Sequence, residues 1–162
     1  MKLTPLARAA YVLAIVAVLL DQASKLFMMN VIELHHVGQE KVLDPWFNLT
    51  FVPNRGVSFG LFRADADFGR WMLVTVLGAV AVGMAIWARK VERRLMAAAL
   101  GLVIGGAVGN LIDRARLGYV IDFLDFSGLY FPWVFNVADS AITVGVALLL
   151  LDSLITKEPK PA

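Results

Sequence analysis

Four apolar stretches, each close to the length of a membrane-spanning helix, place the strongest constraint on how this chain can fold. They lie at residues 10–29, 71–88, 95–113 and 134–155. A helix needs about 20 apolar residues to cross the ~30 Å hydrocarbon layer of a bilayer. Only 17% of the 162 residues are charged, whereas a soluble domain keeps roughly a quarter of its residues charged. We therefore predict an all-α membrane protein, a single membrane domain over residues 1–162 with four transmembrane helices.

The density of lysine and arginine predicts how the four helices are oriented. With four spans, both termini lie on the same side of the membrane as the loop at 89–94. That side carries eight of the 15 lysine and arginine residues in about 22 loop residues, and the other side spreads seven over about 60. Short loops rich in these residues stay on the cytoplasmic side. We therefore predict cytoplasmic termini and two outward-facing segments, at residues 30–70 and 114–133.

The outward segment between the first two helices has the composition of a small β-hairpin, over residues 41–62. Apolar and polar side chains alternate through residues 47–51, which is typical of a half-buried strand. Residues 53–56 have turn composition, and we predict a return strand at 57–62. A small extracytoplasmic β-hairpin or sheet that rests on the membrane surface is therefore expected.

The second outward segment, residues 114–133, is predicted to be a loop. Its part at 123–131 is aromatic and amphipathic, a composition typical of segments that lie in the membrane interface. We interpret this part as a lid that lies in the interface.

The first apolar stretch also has features of a secretory signal peptide. Lys2 and Arg8 precede an apolar run that ends at Leu20. Because three further spans follow in place of a soluble domain, we expect this stretch to be retained as a helix.

Several kinds of site are excluded by the residue types present. Without cysteine, the chain can form no disulfide, thiol nucleophile or cysteine-ligated metal site. His35 and His36 are its two histidines, and because they are adjacent they lack the spacing of metal ligands on a helix. We therefore predict no metal site. The sequence contains no basic cluster with interleaved aromatic residues, so nothing in it indicates a nucleic-acid-binding surface.

Polar side chains cluster at the outward ends of the predicted helices or just beyond them. They are Asp21, Lys25, Asn110, Asp113, Arg114, Asp122, Asn136 and Asp139. Ionisable residues are costly within a membrane, so each of them is a functional candidate. Their common depth predicts a shared polar cavity beneath the outer surface. The alternative is a hydrogen-bond network that only fixes how the helices pack.

Glycine repeats at four-residue spacing in the third predicted helix, at Gly101, Gly105 and Gly109. Small residues at this spacing let two helix backbones approach closely. We therefore predict that this face, which is not the polar one, packs against a neighbouring helix.

A pair of carboxylates is the reaction chemistry that best fits these residues. Serine–lysine catalysis is disfavoured, because Ser24 and Lys25 are adjacent and point to different faces of a helix. Two carboxylates in one site cannot both ionise easily, so one keeps a proton while the other activates water. Asp122 and Asp139 are the best-placed pair, since a short outward loop keeps both at one face. Two alternatives stay open: an ion or proton path lined by these aspartates, and a structural subunit that binds a partner helix.

Five segments, in order and with fitting spacing from residue 21 to about 145, resemble motifs of the bacterial lipoprotein signal peptidases (signal peptidase II). They are Asp21–Lys25, Asn54–Gly60, Gly105–Arg114, Gly118–Phe123 and Phe135–Ser140. The sequence departs from the family pattern at Val57, where the family usually has a small alanine. The larger side chain would affect packing near Asn54 but belongs to no reacting group.

The resemblance implies an aspartyl endopeptidase of the inner membrane that cuts prolipoproteins just before a diacylglyceryl-modified cysteine. Asp122 and Asp139 would be its catalytic pair, at the outer, periplasmic face. Supporting residues would orient the substrate or the pair: Asn54, Gly56, Asn110, Arg114 and Asn136. Structural polar residues would hold the helices in place: Asp21, Lys25 and Asp113. The family uses no cofactor or metal. We expect a monomer whose partners are the lipid-modified prolipoprotein and membrane lipids.

Overall fold

The structure, a computed structural model, describes residues 3–43, 46–56 and 67–156. Within these ranges, four helices are long and apolar enough to cross a membrane, which confirms the predicted fold class. They are α1 Pro5–Asn30, α2 Asp67–Ala88, α3 Arg94–Leu117 and α4 Val137–Ile155.

Capping residues set helix ends that hydropathy does not register. α1 begins at Pro5 rather than at residue 10, because the Thr4 side chain accepts a hydrogen bond from the Ala7 N–H (3.1 Å). α3 continues beyond residue 113 to Leu117. It stops at Gly118, whose left-handed backbone (φ 81°) costs a glycine little.

The central helix of the bundle is α3. In its most apolar 18-residue window 56% of the residues are buried, against 22% or fewer in each of the other three helices. All three of those helices pack against α3. The polar side chains of α3 are therefore surrounded by protein rather than lipid, which lowers the cost of placing them in a membrane helix.

Glycine residues bring α3 close to α1, as their four-residue spacing predicts. A Cβ atom on Gly101 would lie 2.6 Å from the Ala10 carbonyl oxygen, and one on Gly105 would lie 2.6 Å from that of Ala14. Both distances are shorter than van der Waals contact. The two backbones therefore touch along this face, and only glycine fits there.

Gly105→Ala is expected to lower the free energy of unfolding by about 1–3 kcal/mol, because the added methyl group collides with backbone in α1. Gly83→Ala in α2 is the matched control, since a Cβ atom there meets nothing within 4 Å. Thermal unfolding of both variants in the same detergent measures the difference. Equal melting temperatures for the two variants would contradict the close packing of α1 and α3.

A four-stranded antiparallel sheet lies at the end of the bundle where α1 and α3 finish and α4 begins. Its strands, in order across the sheet, are β1 Glu40–Val42, β2 Asn48–Asn54, β3 Val120–Asp125 and β4 Val134–Phe135. β2 and β3 pair with Val52 opposite Asp122 and Asn54 opposite Val120. A register irregularity lies between Leu49 and Val52.

One of the four strands, β3, comes from a segment that the sequence predicts to be a loop, residues 114–133. Pro53 and Asn54, predicted to form a turn, belong to β2, and they pair with β3. The sequence pattern does not reveal β3 as a strand, because Asp122 interrupts its apolar residues and makes the segment resemble an interfacial one. The predicted return strand at 57–62 lies outside the described residues.

The predicted lid at 123–131 and the predicted start of the fourth span also differ in the structure. The first residues of the lid complete β3, and a short 3₁₀ helix at Ser127–Leu129 follows. β4 occupies Val134–Phe135, so α4 begins only at Val137. Hydropathy joins β4 to the helix because both are apolar, and the capping residue Asn136 separates them.

A buried apolar cluster joins the sheet to the end of α1. Its members are Leu34, Leu49, Phe51, Ile121 and Phe123. Successive side chains of a strand point to opposite faces of the sheet. Asp122, which lies between Ile121 and Phe123, therefore points away from the cluster.

Candidate active site

Asp122 is a buried carboxyl group on β3, with 2% of the residue exposed. Its Oδ1 accepts a hydrogen bond from Asn136 Nδ2 (2.6 Å), and its Oδ2 accepts one from Asn54 Nδ2 (3.1 Å). The Gly56 N–H in turn donates to Asn54 Oδ1 (3.2 Å), which fixes the orientation of that amide. Strand β2 and the start of α4 therefore both contribute donors to this carboxyl group.

Asp139 lies in the first turn of α4, where a reciprocal capping box holds it. Asn136 Oδ1 accepts from the Asp139 N–H (2.9 Å), and Asp139 Oδ2 accepts from the Asn136 N–H (3.2 Å). Asp139 Oδ1 accepts a further hydrogen bond from Asn110 Nδ2 (2.8 Å) on α3. The helix start that orders α4 therefore also fixes the direction of this side chain.

Asn136 connects the two aspartates and is completely buried. Its Nδ2 donates to Asp122 Oδ1 and also to Asn110 Oδ1 (3.2 Å), while its Oδ1 and backbone N–H engage Asp139. One side chain thus bonds to both carboxyl-bearing residues. The structure brings Asp122 and Asp139, which are 17 positions apart in the sequence, into one hydrogen-bonded group.

The two carboxyl groups interact electrostatically. Burial, and then the nearby charge of Asp139, raise the pKa of Asp122 from 3.8 to about 7. Hydrogen bonds from Asn54 and Asn136, and the charge of Lys25, act in the opposite direction but do not outweigh these causes. Near neutral pH the Asp122 carboxyl group therefore carries a proton for part of the time.

Arg114 supplies a positive charge close to the carboxyl groups. Its guanidinium interacts electrostatically with Asp139, Asp122 and Asp113. Its Nε is buried and has no hydrogen-bond partner among the described residues. Arg70 Nε donates to the Arg114 carbonyl oxygen (2.8 Å) and so holds this end of α3.

The structural polar residues predicted from the sequence form a buried group behind the aspartate pair. Lys25 Nζ lies 2.8 Å from Asp21 Oδ2 and 2.7 Å from Asp113 Oδ2. Gln22, which the sequence does not single out, donates from Nε2 to Asp113 Oδ1 (2.9 Å) and to the Gly109 carbonyl oxygen (3.2 Å). The sequence signal that identifies Gln22 as a member of this group is its position next to Asp21, because consecutive residues near a helix end can reach the same neighbouring helix.

An apolar groove of about 360 Å³ opens beside Asp139. We call it the aromatic groove; it is lined by Phe131, Trp133, Phe135, Asp139, Ser140, Thr143 and Val144. The hydroxyls of Ser140 and Thr143 donate to carbonyl oxygens of the preceding helical turn. The groove therefore presents a mainly apolar wall that leads to one carboxyl group, a shape suited to an apolar ligand with a reactive end.

Among the described residues, no group of three or more histidine, aspartate or glutamate side chains is arranged to hold a metal ion. The chemistry that the site offers through its own residues is proton transfer between two carboxyl groups, supported by amide and guanidinium donors. Such a pair can activate water and protonate an oxygen atom in the same reaction.

Comparisons with known proteins assign the chain to a family. A sequence profile described as "Signal peptidase (SPase) II" matches residues 13–155. The lipoprotein signal peptidase of Caulobacter vibrioides is 53% identical over 152 residues, 93% of this chain and 89% of that protein. The lipoprotein signal peptidase of Methylorubrum extorquens is 45% identical over 148 residues, 91% and 86% of the two chains.

Solved structures agree with this assignment. One described as "Bacterial membrane enzyme structure by the in meso method at 1.9 A resolution" has a TM-score of 0.77 at 26% identity, and the match covers 91% of this chain and 94% of that chain. A second, at 2.3 Å resolution, has a TM-score of 0.73 at 27% identity and covers 94% and 93%. The chain therefore belongs to the signal peptidase II family, the aspartic-type lipoprotein signal peptidases.

Proposed function

We propose that this enzyme cuts prolipoproteins just before their diacylglyceryl-modified cysteine, with Asp122 and Asp139 as the catalytic pair. Membership of the family makes the chain an enzyme that removes signal peptides from prolipoproteins. The assignment of the pair rests on one observation: Asn136 bonds to both aspartates. The raised pKa of Asp122, about 7 through burial and then through the charge of Asp139, supports the assignment.

The pair supplies both proton transfers that peptide hydrolysis requires. Asp139, in its ionised form, takes a proton from a water molecule as the water oxygen attacks the scissile carbonyl carbon. Asp122 gives its proton to the carbonyl oxygen, which becomes a hydroxyl of the tetrahedral intermediate. When the C–N bond breaks, the proton held by Asp139 passes to the leaving amine, and a hydroxyl proton returns to Asp122. Each aspartate thus recovers its starting protonation state.

The supporting residues act on the geometry and charge of this reaction. Asn110 and Asn136 hold the two carboxyl groups through hydrogen bonds of 2.8 and 2.6 Å. Asn54 holds the second oxygen of Asp122 (3.1 Å), and Gly56 orients Asn54. Arg114, whose positive charge lies near both aspartates, favours the negative charge that develops on the carbonyl oxygen of the scissile bond.

The aromatic groove fits the apolar part of such a substrate. Its wall leads from the apolar surface of α4 to Asp139, so a signal peptide or lipid chain lying in the groove delivers the scissile bond to the pair. Holding the reacting atoms in place in this way can provide a large part of the rate enhancement. The lipid on the cysteine keeps the scissile bond near the membrane interface, which is where a pair at the ends of helices must meet it.

The orientation and assembly of the enzyme complete the proposal. The pair lies at the outer, periplasmic face of the inner membrane, and both termini are cytoplasmic. Support comes from the loop at 89–94, which lies between α2 and α3 at the end of α3 opposite Arg114 and carries four of the 15 lysine and arginine residues. All residues assigned to the catalytic pair and its supports come from one chain, and we propose that the enzyme acts as a monomer in contact with membrane lipids.

Purified enzyme in detergent is expected to cleave a diacylglyceryl-modified prolipoprotein and to leave the unmodified precursor intact, because the lipid positions the scissile bond. The measurement is a gel-shift assay on both substrates, with mass spectrometry of the product to locate the cut. An intact lipidated precursor after prolonged incubation with folded enzyme would contradict the proposed activity. Equal cleavage of both precursors would contradict the proposed role of the lipid.

A further inference from the structure

Lys25 has three polar partners: it donates hydrogen bonds to Asp21 and Asn110 and forms an ion pair with Asp113. Its Nζ contacts Asp21 Oδ2 (2.8 Å), Asp113 Oδ2 (2.7 Å) and Asn110 Oδ1 (3.2 Å). The residue is 2% exposed. An ammonium group has three donors and no acceptor, so the number of these partners matches the number of its donors.

The two carboxylates that pair with Lys25 also hold the backbone next to each member of the catalytic pair. Asp21 Oδ1 accepts from the N–H of Ala138 (3.0 Å), which immediately precedes Asp139 in the chain. Asp113 Oδ2 accepts from the N–H of Ile121 (3.2 Å), which immediately precedes Asp122. One cation therefore links α1 and α3 to the backbone on which both aspartates are carried.

The third contact of Lys25 reaches an amide that bonds directly to a catalytic side chain. Asn110 Oδ1 accepts from Lys25 Nζ and from Asn136 Nδ2, both at 3.2 Å, and Asn110 Nδ2 donates to Asp139 Oδ1 (2.8 Å). A positive charge beside Oδ1 keeps the oxygen on that side. If the amide turned over, its oxygen would face the carboxylate of Asp139, and the hydrogen bond to Asp139 would be lost.

We infer that Lys25 is a positioning residue for the catalytic pair. It acts on Asp139 through Asn110, in addition to holding helices together. This inference rests on the proposed roles of Asp122 and Asp139. Its distinguishing consequence is that loss of the cation lowers turnover in enzyme that is still folded, because Asp139 loses its fixed donor. Substrate binding, which depends on the aromatic groove and the lipid, changes little.

The principal test is the double variant D21N/K25M. Removing Lys25 alone would leave two buried carboxylates without a cation, a change that often prevents folding. Replacing Asp21 as well keeps the net charge of the buried group unchanged. The amide oxygen introduced at position 21 can still accept from the Ala138 N–H. We expect kcat to fall by at least about tenfold while KM stays within about threefold of wild type, the pattern of an interaction used in the transition state.

Gln22→Leu is the matched control. Gln22 Nε2 donates to Asp21 Oδ2 (3.1 Å) and Asp113 Oδ1 (2.9 Å), the same two carboxylates, but no contact links it to Asn110. If the buried group has only a structural role, this variant and D21N/K25M will both lower the melting temperature and leave kcat unchanged. We expect Gln22→Leu to lower the melting temperature and to keep wild-type kcat.

Asn110→Ala tests the relay and remains informative if D21N/K25M does not fold. It leaves Lys25 and its two carboxylates intact, and we expect a fall in kcat with little change in KM. Combined with D21N/K25M, it should add no further loss, because both changes remove the same donor to Asp139.

Wild-type kcat in folded D21N/K25M, or in folded Asn110→Ala, would overturn the inference. Losses of kcat that multiply when the variants are combined would also overturn it, because Lys25 would then act by another route. Failure of the proposed function gives a different result: Asp139→Asn would itself retain activity, whatever the Lys25 variants do.

Discussion

Asp122→Asn and Asp139→Asn each reduce kcat on a lipidated prolipoprotein by an expected factor on the order of 10³ or more. An amide can neither take a proton from water nor donate the acidic proton that the carbonyl oxygen needs. Both variants should still fold, since asparagine retains an oxygen that accepts hydrogen bonds in place of one carboxyl oxygen. The measurement is single-turnover cleavage together with the melting temperature of each variant in the same detergent.

Asp125→Asn is the matched control for these two variants. Asp125 lies on the same strand as Asp122, but its carboxylate accepts from Thr50 Oγ1 (2.7 Å) and the Ser127 N–H (2.8 Å) and has no contact with the pair. We expect Asp125→Asn to lower stability modestly, by about 1 kcal/mol, and to keep wild-type kcat. Full activity in Asp122→Asn or Asp139→Asn would remove that residue from the catalytic pair.

Activity is also expected to fall as the pH rises through about 7. Burial and the charge of Asp139 raise the pKa of Asp122 to about 7, and only the protonated form can donate to the carbonyl oxygen. Above this pH, kcat/KM should fall about tenfold per pH unit, so that it is about 100-fold lower at pH 9. The measurement is kcat/KM on a lipidated prolipoprotein between pH 5 and pH 9.

Melting temperatures over the same range separate loss of the proton from loss of the fold. Because the folded-state pKa of Asp122 lies above 3.8, the folded protein binds this proton more tightly than the unfolded chain does. The resulting stabilisation is complete below pH 3.8 and is lost as the pH rises to about 7. Asp122 changes stability no further above pH 7. A kcat/KM that stays constant from pH 6 to pH 9 would contradict the role of Asp122 as proton donor.

The helices and the residues of the site could be predicted because their determinants are local in sequence. Each span is marked by a long, mainly apolar run, and Asp21, Asp113 and Asp139 are conspicuous because they are ionisable residues within or beside such runs. The spacing of Gly101 and Gly105 predicted close contact with a neighbouring helix for the same reason, and the structure shows that this helix is α1.

The sheet and the geometry of the pair could not be predicted, because they depend on partners far away in the chain. Asn54 pairs with Val120 across 66 positions, and nothing near either residue specifies that register. Asp122 also makes β3 hard to recognise, because it places a carboxyl group in the middle of an apolar strand. The hydrogen bond from Asn136 that joins Asp122 to the residues of Asp139's capping box likewise becomes visible only when β3 lies against the start of α4.

The capping box of Asn136 and Asp139 has a consequence for the biosynthesis of the enzyme. Two of the residues that begin α4 belong to the proposed catalytic group, and α4 is the last of the four described helices. A nascent chain with three inserted helices therefore has Asp122 and its donor Asn54 but lacks the Asn136 amide and the Asp139 carboxylate. With the proposed catalytic pair, the protease therefore stays inactive during synthesis until α4 is complete.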